Sequence, residues 1–194
     1  MTKKTLIIIG VIAVIAMMAI SAYNGMVSSQ EKATQAWADV QATYQRRADL
    51  IPNLVNTVKA YAKHEKETFE AVVNARAKAT QMNIDISNAT PEQIKQFQQA
   101  QGELSSALTK LMAISENYPE LKANENFKAL QDQLEGSENR INEARQKYNK
   151  AVTEYNTNIR SFPKSLFAGM FGFHQMDKYE ADATAQSAPT VNFD

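Results

Sequence analysis

The sequence predicts an all-α protein, with a single transmembrane helix at the N-terminus followed by an elongated antiparallel four-helix bundle. The first observation behind this prediction is an uncharged run from Thr5 to Gln30. The second is a series of apolar stripes with three- and four-residue spacing, which is typical of helices that bury one face. The third is the small number of chain breakers, since the 194 residues include only 6 glycines and 5 prolines. That number is too small for the many turns of an all-β fold.

Composition excludes several classes of function. The 21 basic side chains match the 21 acidic ones, and the isoelectric point is about 6.8, so no nucleic-acid partner is expected. Cysteine is absent, which excludes disulfides and thiolate metal sites. His64-Glu65 begins a zinc-protease pattern, but Thr68 stands where that pattern requires a second histidine. We therefore expect no catalytic residue, no metal and no cofactor, and an enzyme is the least favoured class of function.

The apolar run predicts where the protein lies. Residues from Leu6 to Ile20 are almost wholly apolar, and with their flanks they reach the roughly 20 residues that cross a bilayer as a helix. Lys3 and Lys4 precede the run, which by the positive-inside rule keeps the N-terminus in the cytoplasm. This predicts a single-pass protein of the bacterial inner (cytoplasmic) membrane, with its bundle in the periplasm or outside. A cleaved signal peptide is the alternative, because Ala19 and Ser21 suit a cleavage site.

The apolar stripes predict four helices beyond the membrane. A proline inside a helix removes a hydrogen bond and clashes with the preceding turn, so we expect Pro52 to kink or break the chain between Asp49 and Asn53. Thr90, followed by Pro91 and Gln93, forms a capping box, and Asn124 is a further N-cap. The predicted helices lie near 26–50, 53–82, 91–118 and 124–162.

The chain accordingly divides into four parts. The predicted parts are a cytoplasmic stub and anchor (1–25), the bundle (26–163), an apolar C-terminal segment (164–180) and a disordered tail (181–194). In the third part, Phe167, Phe171 and Phe173 are crowded together. These aromatic residues either cap the open end of the bundle or form a contact surface for the bilayer or a neighbouring subunit.

One charged cluster is the candidate interaction or structural site. Its members are Arg46, Arg47, Asp49, Pro52 and Asn53. Arg47 occupies a position on the apolar stripe, and a buried arginine is tolerated only when it is paired. The candidate partners are Asp49, Glu138 and Glu143. Arg47 either fixes the register of the helices at the proline, or belongs to a corner that docks a partner or another protomer.

Two long stretches of the chain resemble the LemA family. They run from Tyr23 to Glu65 and from Asn117 to Asn156, and include the strings RRADLIPNLV and ENRINEARQKYN. The pairs Phe162-Pro163 and Gly172-Phe173 also fit. The resemblance implies a single-span membrane protein with a helical bundle outside the cytoplasm and no family catalytic residues. Similar proteins are encoded beside membrane-bound stress proteases or proteins with a TPM domain, which implies a role in the cell envelope by association only.

The expected function is that of a membrane-anchored, non-enzymatic scaffold or protein-interaction module. Long amphipathic helices offer lateral surfaces for helix contacts, and an anchor raises the effective concentration of protomers. The expected partners are the lipid bilayer, through the N-terminal helix, and further copies of the chain in a homo-oligomer. The alternative is a stoichiometric adaptor or regulator of a membrane protease or signalling protein, with membrane-bound proteases or TPM-domain proteins as partners.

Overall fold

The computed structural model describes residues 2–180, and this part of the chain is all-α. Its helices and turns contain no strand, so the predicted fold class is confirmed. A short 3₁₀ turn, Ser115–Asn117, joins the third helix to the fourth. The tail predicted over 181–194 lies outside the described residues. The six helices are α1 (Lys3–Tyr61), α2 (Lys66–Gln81), α3 (Pro91–Ile114), α4 (Pro119–Ala123), α5 (Glu125–Arg160) and α6 (Ser165–Ala168).

Helix α1 combines two environments in one element. Its 59 residues extend about 88 Å at 1.5 Å per residue. The large apolar side chains from Leu6 to Ile20 are exposed, whereas Ala22 and Met26 begin a face that is buried against the rest of the chain. The first part of α1 is thus long and apolar enough to cross a membrane, as the sequence predicted.

The predicted break at Pro52 is wrong, because α1 continues through the proline to Tyr61, whereas the kink stays a prediction. Proline lacks an N–H, so the carbonyl of Ala48, four residues earlier, loses its helical donor. Arg76 of α2 replaces that donor, with its Nε 2.8 Å from the Ala48 oxygen. Pro52 itself is exposed. The helix therefore continues because a side chain from elsewhere in the sequence satisfies the freed carbonyl.

The first break in the chain comes later, at Ala62–Glu65, so the predicted helix 53–82 is divided between α1 and α2. Ala62 is fully buried. The connection after α3 holds this turn, since Asn124 donates from Nδ2 to the Tyr61 hydroxyl at 3.0 Å and Tyr118 donates to Glu65 Oε1 at 3.4 Å. Tertiary contacts, and not a glycine or proline, thus mark the end of α1.

The predicted helix caps are confirmed. Thr90 Oγ1 accepts from the Gln93 backbone at 3.3 Å, and Gln93 Oε1 accepts from the Thr90 backbone at 2.9 Å. Asn124 Oδ1 accepts a backbone hydrogen bond at the start of α5. The end of α3 differs from the prediction, because the helix stops at Ile114 and Pro119 begins α4, where its missing N–H has no cost.

The long helices pack as two pairs. Helices α1 and α5 are antiparallel, since Asn158 of α5 donates to the Gly25 carbonyl at 2.9 Å while Asn124, just before α5, meets Tyr61. Helices α2 and α3 form a hairpin through the 82–90 loop. The closure of both pairs into one four-helix bundle remains a prediction.

The interior divides into two cores. The aromatic core lies toward the apolar run and the aliphatic core lies toward the Tyr61 end of α1. The main members of the aromatic core are Met26, Trp37, Tyr44, Phe97, Ile141, Tyr148, Val152, Tyr155, Phe173 and Tyr179. The main members of the aliphatic core are Ile51, Leu54, Val58, Val72, Leu104, Leu108, Leu111, Leu121, Phe127 and Leu134.

Candidate functional site

Arg47 lies at the boundary between the two cores, and its side chain is fully buried. Its Nη1 donates to Glu138 Oε1 on α5 and to Ser105 Oγ on α3, both at 2.7 Å. Its Nη2 donates to Gln101 Oε1 at 2.8 Å. Gln101 in turn donates from Nε2 to the Ala79 carbonyl of α2 at 3.2 Å. One polar layer therefore connects α1, α2, α3 and α5.

The composition of this layer explains how a buried charge is tolerated. Removing an arginine from water is costly unless a counter-charge and further acceptors compensate. Glu138 provides the counter-charge, and its side chain is still 44% exposed, so its own desolvation cost is small. Within the described residues, Arg47 Nε is buried without a hydrogen-bond partner. The hydrogen bonds of the layer join α1 to α2, α3 and α5 through specific donor and acceptor atoms.

The other members of the predicted charged cluster do not accompany Arg47 into the interior. Arg46, Asp49, Pro52 and Asn53 are all exposed, and their spacing places the two charged residues and Asn53 on one face of α1. Asp49 accepts from Gln45 Nε2 at 2.8 Å, so the carboxylate is occupied along its own helix. The cluster thus separates into a buried arginine and an exposed facet of α1, which we call the α1 facet (Arg46, Asp49, Pro52 and Asn53).

Other carboxylates lie on solvated faces. Glu143, a predicted partner of Arg47, pairs instead with Lys147 at 2.7 Å, and this hydrogen bond lowers the pKa of Glu143. Lys78 lowers the pKa of Glu103 in the same way. Exposed pairs of this kind contribute little to stability. Among residues 2–180, no group of three histidine, aspartate or glutamate side chains is close enough to hold a metal ion.

A second arginine links the aromatic core to the C-terminal segment. The hydroxyls of Tyr44 and Tyr179 are 2.6 Å apart, and Arg145 Nε donates to the Tyr44 hydroxyl at 2.8 Å. The guanidinium of Arg145 also lies 4.4 Å from the centre of the Tyr179 ring, within the range of a cation–π contact. Helix α1, helix α5 and residue 179 therefore meet at one point.

The chain after α6 runs back along α5 as an extended C-terminal strap (residues 173–180). Two asparagine side chains bind its backbone in both directions. Asn156 donates to the Met176 carbonyl at 2.8 Å and accepts from the Met176 N–H at 2.9 Å. Asn149 makes the same pair with Tyr179, at 2.9 and 2.7 Å. Each amide side chain thus makes, with one residue of the strap, the two hydrogen bonds that a paired β-strand would otherwise make.

Two tyrosines beside these asparagines extend the pattern. Tyr155 donates to the His174 carbonyl at 2.8 Å, and Tyr148 donates to the Asp177 carbonyl at 2.7 Å. Burial raises the pKa of both phenols. The Tyr-Asn dipeptide therefore recurs after seven residues, or about 10.5 Å of helix, and its contacts recur after three strap residues, or about 10 Å of extended chain. The two repeats match in length.

The three predicted C-terminal phenylalanines occupy different environments. Phe173 is buried in the aromatic core, Phe167 is half-buried, and Phe171 is exposed. The rings of Phe171 and Phe173 lie 5.2 and 5.7 Å from that of Tyr23 on α1. The strap thus covers the aromatic core, while the residues before it keep apolar side chains on the surface.

Sequence reasoning missed the residues that hold the strap. These are Arg145, Tyr148, Asn149, Tyr155 and Asn156. The repeated Tyr-Asn dipeptide was the available signal, because two asparagines seven residues apart lie on one face of a helix.

Comparison with known proteins gives consistent matches. The model of the LemA family matches residues 36–193. Magnetosome protein MamQ 1 of Paramagnetospirillum magneticum is 26% identical over 194 positions, covering 90% of this chain and 71% of its own. Magnetosome protein MamQ of Magnetospirillum gryphiswaldense is 26% identical, with coverage of 87% and 68%. Protein LemA of Metamycoplasma hominis is 23% identical, with coverage of 81% and 68%.

Proposed function

The chain belongs to the LemA family, and from this premise we propose that it is a membrane-anchored, non-enzymatic scaffold of the bacterial cell envelope that associates with further copies of itself. The observation that carries the proposal is the continuity of α1. One helix contains the candidate membrane span and also lines both cores. Because no loop separates the two parts, the packed region is held at a fixed height and orientation above the anchor.

The orientation of the anchor is part of the proposal. Lys3 and Lys4 stand at the start of the apolar run, whereas Lys32 on the other side is accompanied by Glu31. This asymmetry favours an N-terminus in the cytoplasm and a packed region on the other side of the inner membrane, in the periplasm or outside.

Two surfaces are suited to lateral contacts between anchored copies. The first is the α1 facet, whose charged side chains are exposed. The second is a cleft of about 470 Å³ between α3 and α5, lined by both apolar and polar side chains. Its lining includes Ser105, Leu108, Met112, Leu134 and Glu138. A shared membrane confines the copies to one plane, which raises their effective concentration and favours assembly through modest surfaces.

The test is the mass and composition of the particle that contains the full chain, purified from native membranes in mild detergent. A particle with many copies of this chain alone is the expected result. One or a few copies with a constant second protein would replace the scaffold with the adaptor, and membrane-bound proteases and TPM-domain proteins are the companions to look for first.

A pair of charge-reversed variants locates the contact. Arg46→Glu with Asp49→Lys changes the α1 facet and preserves net charge. Lys63→Glu with Glu67→Lys is the matched control, because both residues are exposed, Lys63 after the end of α1 and Glu67 in the first turn of α2. We expect a smaller particle for the facet variant and an unchanged one for the control. An unchanged particle in both variants would exclude the α1 facet as the contact between copies.

A further inference from the structure

The region around α6 carries an unusual concentration of exposed apolar side chains, here called the apolar patch (residues 162–171). Within it, Phe162 is 81% exposed, Met170 77%, Leu166 63% and Phe171 39%. Between residues 24 and 161, large apolar side chains with this exposure occur singly, at Tyr61 and Val73. Single exposed apolar residues are ordinary on a protein surface, whereas a contiguous patch indicates a contact.

The apolar patch lies beside the candidate membrane span. The ring of Phe171 is 5.2 Å from that of Tyr23, and Ala168 is buried in the same core as Ala22. An open cleft of about 460 Å³ separates the start of the patch from α1. It is lined by Val14, Met17, Met18, Ser21, Ala22, Pro163 and Lys164. One side of the patch is therefore fixed to α1, and among residues 2–180 nothing covers the other side.

The height of the patch follows from the length of the span. A hydrocarbon layer about 30 Å thick accommodates about 20 helical residues. Counted from Leu6, where the apolar run begins, those residues end near position 25. The patch contacts α1 at Tyr23 and faces it across the cleft from Val14 to Ala22, and all of these positions are below that level. If α1 crosses a bilayer, the patch is then level with the outer part of the lipid.

The charges around the patch also suit a lipid surface. From Tyr155 to Met176 the chain contains no aspartate or glutamate, but it contains Arg160 and Lys164. Lys164 Nζ donates to Asn158 Oδ1, and Arg160 is exposed. Long basic side chains next to apolar and aromatic residues are typical of the membrane interface, where their charges reach the headgroups.

We propose that the apolar patch inserts into the outer interfacial layer of the bilayer that α1 crosses, giving the chain a second attachment to lipid. The exposed apolar side chains of the patch are thus covered by lipid. The inference rests on the anchor in the proposed function, but it adds that the base of the packed region is immersed and that α1 cannot rotate freely about its axis.

The absence of cysteine makes a direct test simple. Leu166→Cys and Met170→Cys, each introduced into the full chain, are labelled with an environment-sensitive fluorophore and reconstituted into phosphatidylcholine vesicles with a minority of phosphatidylglycerol. Lipids with a spin label high on the acyl chain serve as quenchers. Val73→Cys is the matched control, because Val73 is 52% exposed on α2. Ile12→Cys, tested with a spin label deep in the acyl chain, reports on the anchor.

The expected result is quenching at positions 166 and 170 that is about threefold stronger than at position 73, since interfacial apolar side chains lie 5–10 Å deep in the lipid boundary. Quenching at 166 and 170 no stronger than at 73, with Ile12→Cys still quenched, would overturn the second attachment and leave the anchor intact. A blue-shifted but unquenched signal that disappears on dilution of the protein in lipid would also overturn it, in favour of a second copy. An unquenched Ile12→Cys would overturn the anchor as well.

Discussion

The two cores differ in what they need in order to be buried. The aromatic core contains tyrosines and a tryptophan, whose polar atoms require hydrogen-bond partners once they leave water. The partners come from segments without helical structure: Trp37 Nε1 donates to the Ile84 carbonyl at 3.0 Å, and two tyrosines donate to the strap. The aliphatic core consists mainly of leucine, isoleucine and valine on helices. These side chains have no polar atoms, so their burial requires close packing but no hydrogen-bond partner.

This difference has a structural consequence. In the aliphatic core, volume-conserving apolar replacements are tolerated because no atom specifies a partner. In the aromatic core, the indole N–H of Trp37 and the hydroxyls of Tyr148 and Tyr155 each specify the position of a backbone carbonyl. The 82–90 loop and the C-terminal strap are therefore placed by polar atoms, although they also contribute apolar side chains such as Ile86 and Met176 to the core.

The largest effects are expected when each core loses a large side chain. Trp37→Ala removes a ring whose centre lies 5.2 Å from that of Phe97 and 5.1 Å from that of Tyr148. It should lower the free energy of unfolding by about 4 kcal/mol. Leu104→Ala should lower the free energy of unfolding by about 3 kcal/mol. Amide hydrogen exchange separates the two. Trp37→Ala should accelerate exchange in the strap and the 82–90 loop, and Leu104→Ala in α2. The same pattern of exchange in both variants would contradict the division into two cores.

The next effect concerns the layer between the cores. Arg47→Ala removes the buried guanidinium and leaves Gln101 Oε1 without its donor, so we expect a loss of about 2–4 kcal/mol in unfolding free energy. Arg47→Lys should lose about half of that, because an ammonium cannot bind Glu138 and Gln101 with the same geometry. Denaturant unfolding measures both, with exposed Arg46→Ala as the control at less than about 0.5 kcal/mol. If Arg47→Ala were as mild as the control, a structural role for the layer would be wrong.

Removal of the strap contacts should have a smaller and more local effect. Asn149→Ala with Asn156→Ala deletes four hydrogen bonds to strap backbone atoms, at about 1 kcal/mol for each asparagine replaced. Limited proteolysis should then cut the strap sooner, while α2 and α3 remain protected. Asn142→Ala, an exposed position on the same helix, is the control. Equal cleavage rates in the double variant and the control would show that apolar burial alone holds the strap.

The contact between Arg76 and Ala48 is expected to matter only because Pro52 is present. Arg76→Ala should cost about 1 kcal/mol, since it leaves the Ala48 carbonyl without a donor. In a Pro52→Ala background the helix regains its own N–H, and the same substitution should cost less than about 0.5 kcal/mol. Thermal unfolding of the four variants measures the coupling. Equal costs in the two backgrounds would mean that Arg76 stabilises α1 for another reason.

The ionisation of the buried phenols has the smallest effect on stability at neutral pH, and this effect grows as the pH rises. Burial raises the pKa of Tyr148 above its ordinary value of 10.0, so above that pH the unfolded chain loses a proton that the folded chain keeps. Stability is then complete below about pH 10 and falls as the pH rises beyond it. The melting temperature of Tyr148→Phe, followed from about pH 8 to about pH 11, should decline less steeply than that of the parent chain. Parallel curves would exclude Tyr148 as a source of the decline.

Whether a structural feature could be predicted from the sequence depends on how far apart along the chain its hydrogen-bonding residues lie. The caps at Thr90 and Asn124 were predicted because cap and backbone donor are three residues apart. The course of α1 was not, because the donor that replaces the N–H missing at Pro52 belongs to Arg76, 24 positions later. No glycine or proline marked the end of α1 at Tyr61, because that end depends on contacts with Tyr118 and Asn124.

The candidate site follows the same rule. The position of Arg47 on an apolar stripe predicted a buried charge, but three carboxylates were equally plausible partners, and the choice of Glu138 depends on how α1 and α5 align. The partner of the repeated Tyr-Asn dipeptide was not predictable for a related reason. The dipeptide marks one face of α5, but its hydrogen bonds go to backbone atoms of residues 174–179, which are the same for any side chain.

Because α1 is one continuous helix, a tilt of its membrane-spanning part also moves its far end. From position 25 to Tyr61 the helix extends about 54 Å beyond the proposed lipid boundary. Transmembrane helices are tilted by about 20° on average, and the tilt changes with the thickness of the bilayer. Since no loop interrupts α1, tilting the helix by 20° moves its Tyr61 end sideways by about 18 Å. A change in membrane thickness would thus become a lateral displacement at the far tip of the molecule, several times larger than the change that caused it.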